Sequence, residues 1–152
     1  MVVGLISDTH GLVRPEALNA LEGVELILHA GDVGGRHVLE ALSAIAPLIA
    51  IRGNVDGETW AASLPERRIA EAGGIDVYML HDVKELGPDP LPEDIRVVLS
   101  GHSHKPSVTE RNGILYVNPG SAGPKRFSLP VTIARMHVDG QDVSCAIVEV
   151  LP

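Results

Sequence analysis

The apolar run Val2-Val3-Gly4-Leu5-Ile6 ends in Ser7-Asp8-Thr9-His10, which places an acid and an imidazole two residues apart. Residues i and i+2 of an extended segment project to the same side, so Asp8 and His10 can aim a carboxylate oxygen and a ring nitrogen at one ion. Far downstream, Gly101-His102-Ser103-His104 repeats the spacing with two imidazoles. Other apolar runs also stop at polar donors: Gly31-Asp32 follows Leu26 to His29, Gly53-Asn54 follows Leu48 to Ile51, and His81 follows Ile75 to Leu80. The seven donors Asp8, His10, Asp32, Asn54, His81, His102 and His104 exceed what one transition ion takes. They suit two ions with one carboxylate shared between them. Any single pair arises easily by chance, so the ordered set carries the reading.

The elements that must position these donors follow from hydrophobic pattern and punctuation. Val2 to Ile6 is continuously apolar and β-branched, as expected of a central strand buried on both faces. Pro15 suits the first turn of a helix running through Leu21 and closed by Gly23. Glu25 to His29 is the second strand. Val38, Leu39, Leu42 and Ile45 then have helical spacing up to Pro47, before a third strand over Leu48 to Ile51. Strands alternating with helices predict βαβ units in a parallel sheet, whose ligands gather beyond the carboxyl ends of the strands. Beyond Trp60 the pattern changes to hairpins. Gly73-Gly74 separates Arg67 to Glu71 from Ile75 to Leu80, Asn112-Gly113 separates Val108 to Glu110 from Ile114 to Val117, and Asp139-Gly140 separates Val131 to Val138 from Val143 to Val150. The proline-rich connection Pro88-Asp89-Pro90-Leu91-Pro92 leads to a strand over Ile95 to Leu99. The second half is therefore expected to be largely antiparallel, with two sheets packed face to face and helices outside. Gly11, Gly31, Gly53 and Gly101 fit turns where backbone passes close to a site.

The chain has 152 residues, 45% of them hydrophobic, enough for one core, and residues 1–152 read as a single domain. No apolar run approaches the roughly 20 residues of a membrane span, and Met1 leads straight into a strand, so the expectation is a cytoplasmic protein complete at its N-terminus with no membrane partner. Cys145 is the only cysteine, which excludes an internal disulfide and a thiolate-rich zinc site. The formal charge of −8 and 3% aromatic content argue against a nucleic acid polymer as partner.

In order and spacing, Asp8-x-His10, Gly31-Asp32, Gly53-Asn54-x-Asp56, His81, Gly101-His102-x-His104 and Asn118-Pro119-Gly120-Ser121 resemble the calcineurin-like metallophosphoesterases. Specifically, the chain is similar to the small bacterial and archaeal phosphodiesterases of the YfcE type. The resemblance implies an α/β fold with mixed sheets, a four-layer αββα sandwich. It also implies a dinuclear site in which Asp8, His10, Asp32 and His104 hold one metal, Asp32, Asn54, His81 and His102 hold the other, and Asp32 bridges. Asp32, Asn54 and His102 would act directly in catalysis. Two divalent cations about 3.5 to 4 Å apart can share a water, lower its pKa and clamp an in-line displacement at phosphorus, the attacking group being the bridging hydroxide. The donor set suits Mn(II), Fe(II), Ni(II) or Zn(II) without choosing among them, and Mn(II) is the first expectation, with Ni(II), Fe(II) and Zn(II) as alternatives. The implied substrate is a small phosphodiester or nucleotide-like molecule, and association of copies through sheet edges is left open.

The chain departs from the family pattern twice. Larger members carry a histidine after the Gly-Asn pair as a leaving-group acid, where this chain has Val55, so activated leaving groups should be preferred. His81 is followed by Asp82-Val83 where relatives often have Gly-His; Asp82 either adds charge near the metals or caps the next turn. Among other polar residues, His29 reads as a hydrogen-bonded core residue and His37 and His137 as surface. Arg14, Asp56, Lys125 and Arg126 are open between phosphate contact and solvation. Asn118 to Ser121 reads as a turn buttressing the histidine loop, and Ser103 lacks the setting of a nucleophile. The alternative function is a non-catalytic protein-binding scaffold of the same fold, as in the retromer subunit with a degraded metal site. A cupin-like reading of His102-x-His104 fails on the position of Glu110 and on the βαβ start.

Overall fold

In the computed structural model, residues 1–57, 59–88, 90–126 and 128–151 are described; Asp89 of the proline-rich connection lies outside them. Strand β1 (Val2–Ile6) is the middle of a five-stranded sheet of order β10-β9-β1-β2-β3. It pairs in parallel with β2 (Leu26–His29), which pairs in parallel with β3 (Leu48–Ala50). The connecting helices are α1 (Pro15–Ala20), with proline in its first turn as its sequence predicts, and α2 (Arg36–Ser43). Because side chains alternate along a strand, Val3, Leu5, Leu26 and Leu28 face the inner core. Ile6 and Ile27 face the other way, against Ala17, Leu21, Val38 and Leu42 of the helical layer and its flanks.

The second sheet has the order β4-β5-β6-β8-β7, from β4 (Arg67–Ala72), β5 (Ile75–Leu80), β6 (Ile95–Leu99), β7 (Ser107–Arg111) and β8 (Ile114–Asn118). Its Val77, Met79, Val97, Leu99 and Val117 meet the first sheet's inner face in one continuous core. Its outer face buries Leu80, Ile95 and Val98, with Leu86 and Leu91 of the 83–92 segment packed over them. A short 3-10 helix, Val83–Leu86, thus contributes to the fourth layer of the sandwich.

The second half is largely antiparallel, as expected, since all three of its hairpins pair antiparallel; the exception is the centre of this sheet, where β5 pairs with β6, and β6 with β8, in parallel. Two expectations are corrected. The last hairpin, β9 (Val131–Asp139) and β10 (Asp142–Leu151), does not join this sheet but pairs β9 against the free edge of β1. The physical reason is that β1 is apolar on both faces and would otherwise leave a deeply buried edge unpaired. Second, the turn of that hairpin is centred on Gly140-Gln141 rather than Asp139-Gly140, since Asp139 pairs with Asp142. Only Gly140 of the two has positive φ, at 61°, as a type II′ turn requires. The Gly73-Gly74 and Asn112-Gly113 turns fall where expected, with positive φ at both residues of each.

Candidate metal centre

Because β1, β2 and β3 are parallel, their carboxyl ends emerge on one side, carrying Asp8 and His10, Asp32, and Asn54. The parallel pairing of β5, β6 and β8 has the same effect in the second sheet, bringing His81, the His102-His104 loop and Asn118 to one end. Within each sheet the loops are tied together, the Asp8 N–H donating to Gly31 O at 3.0 Å and the Gly101 N–H to His81 O at 2.9 Å, and the two sheets' ends meet where the His102 N–H donates to Asp8 Oδ2 at 3.0 Å.

Two triads of donors result. Ligand atoms of Asp8, His10 and His104 lie within 4.8 Å of one another, as do those of Asp8, Asp32 and His81. Asp32 Oδ2 stands 3.6 Å from His10 Nε2 and 3.1 Å from His81 Nε2, while Asp8 Oδ1 is 3.7, 3.7 and 3.4 Å from His10, His81 and His104 Nε2. Both carboxylates therefore lie between histidines expected on different metals, so Asp8 lies as centrally as Asp32, which the resemblance implies to be the bridge. His102 stands apart from the triads, 44% exposed, its ring edge-on to His81 at 5.3 Å and its Nε2 3.7 Å from Asp82 Oδ2. Asn54 is exposed beside His81 on the rim of a cleft.

Supporting hydrogen bonds leave defined atoms for a ligand. Asp8 Oδ2 accepts from Ser7 Oγ at 2.8 Å and from the His102 N–H, leaving Oδ1 unused. Asp32 Oδ1 accepts from the Val55 N–H at 3.1 Å. His81 Nδ1 donates to Ala30 O at 2.8 Å, which turns Nε2 toward the carboxylates. Asp8 Oδ1, His10 Nε2, His81 Nε2 and His104 Nδ1 are buried without a hydrogen-bond partner among the described residues. Four such orphans in one place are costly unless something pairs them, and an N/O donor set without sulfur fits a divalent transition ion.

Electrostatics points the same way. Burial raises the Asp8 carboxyl above its ordinary range, against the opposing pull of His81 and Ser7. Burial also works against ionisation of Asp32, but the His81 imidazole and the Val55 N–H outweigh it and hold that carboxyl at about 2. For His81, burial is likewise outweighed, here by Asp32 and the Ala30 carbonyl, and its pKa rises to about 9. His104 is lowered, first by burial, with Asp8 opposing and Arg126 contributing. A cation taking Nε2 of His81 would displace a proton and inherit the attraction of the two carboxylates.

The backbone here is strained. Asp8, His10, Asp32, His102 and His104 have φ between 47° and 70°, a left-handed conformation uncommon for side-chain-bearing residues and concentrated at functional sites. Two glycines are required by close approach. A Cβ on Gly53 would lie 2.3 Å from Asp32 Oδ1, and one on Gly101 2.1 Å from Ser7 Oγ.

The remaining polar residues sort as follows. Asp56 does not reach outward for phosphate: it is buried, and its carboxylate accepts from the Val33, Gly34 and Gly53 N–H groups. Arg14 is likewise structural, donating from Nε to Gly123 O at 3.1 Å. Arg126 is the exposed cation whose charge reaches His104. Asp82 caps the 3-10 helix through the Lys84 N–H at 3.0 Å and also faces His102. His29 is fully buried; its Nδ1 accepts from the Gly31 N–H at 3.1 Å and its Nε2 meets Thr9 Oγ1 at 3.0 Å. His37 and His137 are exposed. Asn118 donates to Gly101 O and Ser103 Oγ, buttressing the histidine loop as its turn motif predicts. Sequence reasoning missed Ser7 as a partner of Asp8, and Ser121, whose Oγ donates to Asp8 O at 2.9 Å; lone serines beside an acid or in a turn give no signal of that kind.

Comparison with known proteins adds independent findings. The family model of the calcineurin-like phosphoesterase superfamily domain matches residues 1–141. A "probable metallophosphoesterase" of Methanothermobacter thermautotrophicus is 32% identical, over 97% of this chain and 92% of its own. A phosphodiesterase of Methanocaldococcus jannaschii is 29% identical over 79% of this chain and 83% of its own. Among solved structures, the E. coli phosphoesterase YfcE superposes with a TM-score of 0.71 at 25% identity, covering 99% of this chain and 100% of that one. Vps29 of Entamoeba histolytica, solved with Zn2+, has a TM-score of 0.71 at 21% identity over 99% of each chain, a likeness of fold.

Proposed function

The chain belongs to the calcineurin-like phosphoesterase superfamily, and from that premise we propose that it is a metal-dependent phosphodiesterase acting on small phosphodiester or nucleotide-like substrates. The observation that carries the proposal is the pair of ligand triads, Asp8 with His10 and His104 and Asp8 with Asp32 and His81, in which Asp8, His10, His81 and His104 each keep a buried, unpartnered donor atom. Asp8, His10, Asp32 and His104 would hold one divalent ion and Asp32, Asn54, His81 and His102 the second, Mn(II) foremost. When bound, such ions activate water and offset charge on the phosphoryl oxygens.

This chain's own residues supply positioning. The Ser7 hydroxyl and the His102 N–H fix the Asp8 carboxylate by its outer oxygen, so Oδ1 stays aimed inward. The Val55 N–H does the same for Asp32. Ala30 O fixes the His81 ring and its tautomer. His102, the most exposed of the histidines here, stands where it can meet the substrate's phosphoryl group. The cation of Arg126 near His104 would attract an anionic diester. Val55 is 53% exposed and offers no proton, so a leaving group departs here on its own low basicity.

The second reading is a protein-binding scaffold, favoured by the fold shared with Vps29. Because one Vps29 was solved with zinc, metal binding does not separate the readings, and turnover does. The test is hydrolysis of bis-p-nitrophenyl phosphate by chelator-stripped protein with and without Mn(II), beside Asp32→Asn. Metal-dependent turnover that falls at least about a hundredfold in the variant is expected. Metal binding without turnover of any diester would favour the scaffold.

A further inference from the structure

Beside the metal centre lies a cleft of about 380 Å³, lined by Asn54 and His81 together with Arg52, Glu66, Arg67 and Glu85. Its lining is unusual for a small-molecule site, since such sites are mostly apolar and aromatic. Among the described residues Leu80 is the one large apolar side chain in the lining, and no Phe, Tyr or Trp ring takes part. A flat base or aryl group would find no phenyl, phenol or indole face to stack on, and the His81 ring and the Arg67 guanidinium are already held by Ala30 O and by Tyr78 and Glu85.

The charged groups divide into fixed and free. Arg67 is committed to structure, donating to Tyr78 Oη at 3.1 Å and to Glu85 O at 2.5 Å, which ties β4 to the Val83–Leu86 turn. Arg52 has a looser partner: its Nη2 is 3.3 Å from Glu66 Oε1, and the Glu66 side chain is 77% exposed. A solvated pair of this kind exchanges partners at little cost. The cleft therefore presents an available guanidinium donor next to carboxylate acceptors. With the carboxylates of Glu66, Asp82 and Glu85 against the guanidiniums of Arg52 and Arg67, its balance is acidic, which disfavours a second anionic group.

Resting on the phosphodiesterase reading, we propose that this cleft is the subsite for one ester group of the substrate and selects a hydroxylated, uncharged, non-aromatic group of the glycerol or sugar type. Hydroxyls donate to Glu66 and Asp82 and accept from Arg52, and the phosphoryl group stays at the Asn54 and His81 end.

The experiment compares kcat/KM for glyceryl, methyl and phenyl p-nitrophenyl phosphates, which share a leaving group, using Mn(II)-loaded protein and bis-p-nitrophenyl phosphate as reference. Two or three hydrogen bonds predict that the glyceryl ester exceeds the methyl ester by about tenfold, mainly in KM, with no comparable gain for phenyl. In an Arg52→Ala/Glu66→Ala variant the glyceryl-to-methyl ratio falls to about one. That ratio is taken within each protein, so it is unaffected by differences in folded fraction or metal loading. A wild-type ratio near one, or an unchanged ratio in the variant, with bis-p-nitrophenyl phosphate still hydrolysed, would overturn the subsite while leaving the activity standing. Failure to hydrolyse even the reference would remove the premise and the subsite with it.

Discussion

The buried carboxylate of Asp56 clamps the loop after β2 to the loop after β3, and its removal should loosen both metal-bearing loops together. Its Oδ2 accepts from the Val33 N–H at 2.9 Å and the Gly53 N–H at 3.0 Å, and its Oδ1 accepts from the Gly34 N–H at 3.0 Å. Asp56→Ala strands all three donors. The buried Val33 N–H, left unsatisfied, costs about 1 to 3 kcal/mol, and the two partly exposed donors, which water can reach, add about 0.5 to 1 each. The sum is about 3 kcal/mol, equivalent to roughly 6 to 12 °C in Tm for a chain of this size. Asp56→Asn should be milder, about 1 to 2 kcal/mol, because an amide oxygen can replace Oδ2 while its NH2 opposes only the Gly34 donor. Urea denaturation measures the stability. Mn(II) titration at a temperature where each variant is folded measures the site, where the alanine variant should bind more weakly because Asp32 and Asn54 lose their common anchor. An Asp56→Ala protein within about 0.5 kcal/mol of wild type, or one with unaltered metal affinity, would refute the clamp.

The other predictions test separate links. His29 is held neutral by burial, with its pKa lowered from 6.5 to about 4, so the unfolded chain takes up a proton in that window and the folded chain does not. Stability from this group is complete above about 6.5 and is lost as pH falls toward 4. The urea-derived stability should drop by about 2 to 3 kcal/mol between about pH 7 and pH 4.5, and the drop should shrink in His29→Gln; an equal drop in the variant would refute it. Gly53→Ala places a Cβ 2.3 Å from Asp32 Oδ1, so it should reduce Mn(II)-dependent turnover by at least about tenfold and cost about 1 to 3 kcal/mol, measured by the same two assays. Val55 is exposed at the position of the family's leaving-group acid; Val55→His should raise turnover of an alkyl phosphodiester by about ten- to a hundredfold relative to a nitrophenyl diester. Equal effects on both esters would sink that assignment.

The strands were legible because their apolar runs are bounded by glycines, prolines and turn dipeptides, signals that act over a few residues. The pairing of those strands was not. Nothing local in Ile95-Arg96-Val97-Val98-Leu99 distinguishes a parallel neighbour from an antiparallel one, and the choice was made by β5 and β8, brought alongside by long connections. The destination of the last hairpin depended on the unpaired edge of β1, more than a hundred residues earlier in the chain. At the centre, seven candidate donors stood out in the sequence, and the fold brings Asp8, His10, Asp32, His81 and His104 together while His102 and Asn54 stand apart from them. The shared position of Asp8 was not readable, because it follows from three-dimensional distances to His81 and His104. Asp56 was ambiguous for a related reason: an acid in a glycine turn has one sequence signature whether it faces water or three backbone donors.

The placement of β1 in the middle of its sheet bears on the order in which the chain acquires structure. Val3 pairs with Leu26 on one side and with Met136 on the other, and the Met1 ammonium donates to Val138 O at 2.7 Å. All seven donors lie before residue 105, yet the strand that delivers Asp8 and His10 keeps one edge bare until residues 131–139 arrive. During vectorial synthesis a nascent chain would therefore carry a full complement of metal donors on an incomplete scaffold. Contacts of such long sequence separation form slowly, and an exposed apolar strand edge invites pairing with other chains meanwhile. Pairing of the β9-β10 hairpin completes the sheet that carries Asp8 and His10, and an ion that binds only the finished arrangement would act as a latch on it.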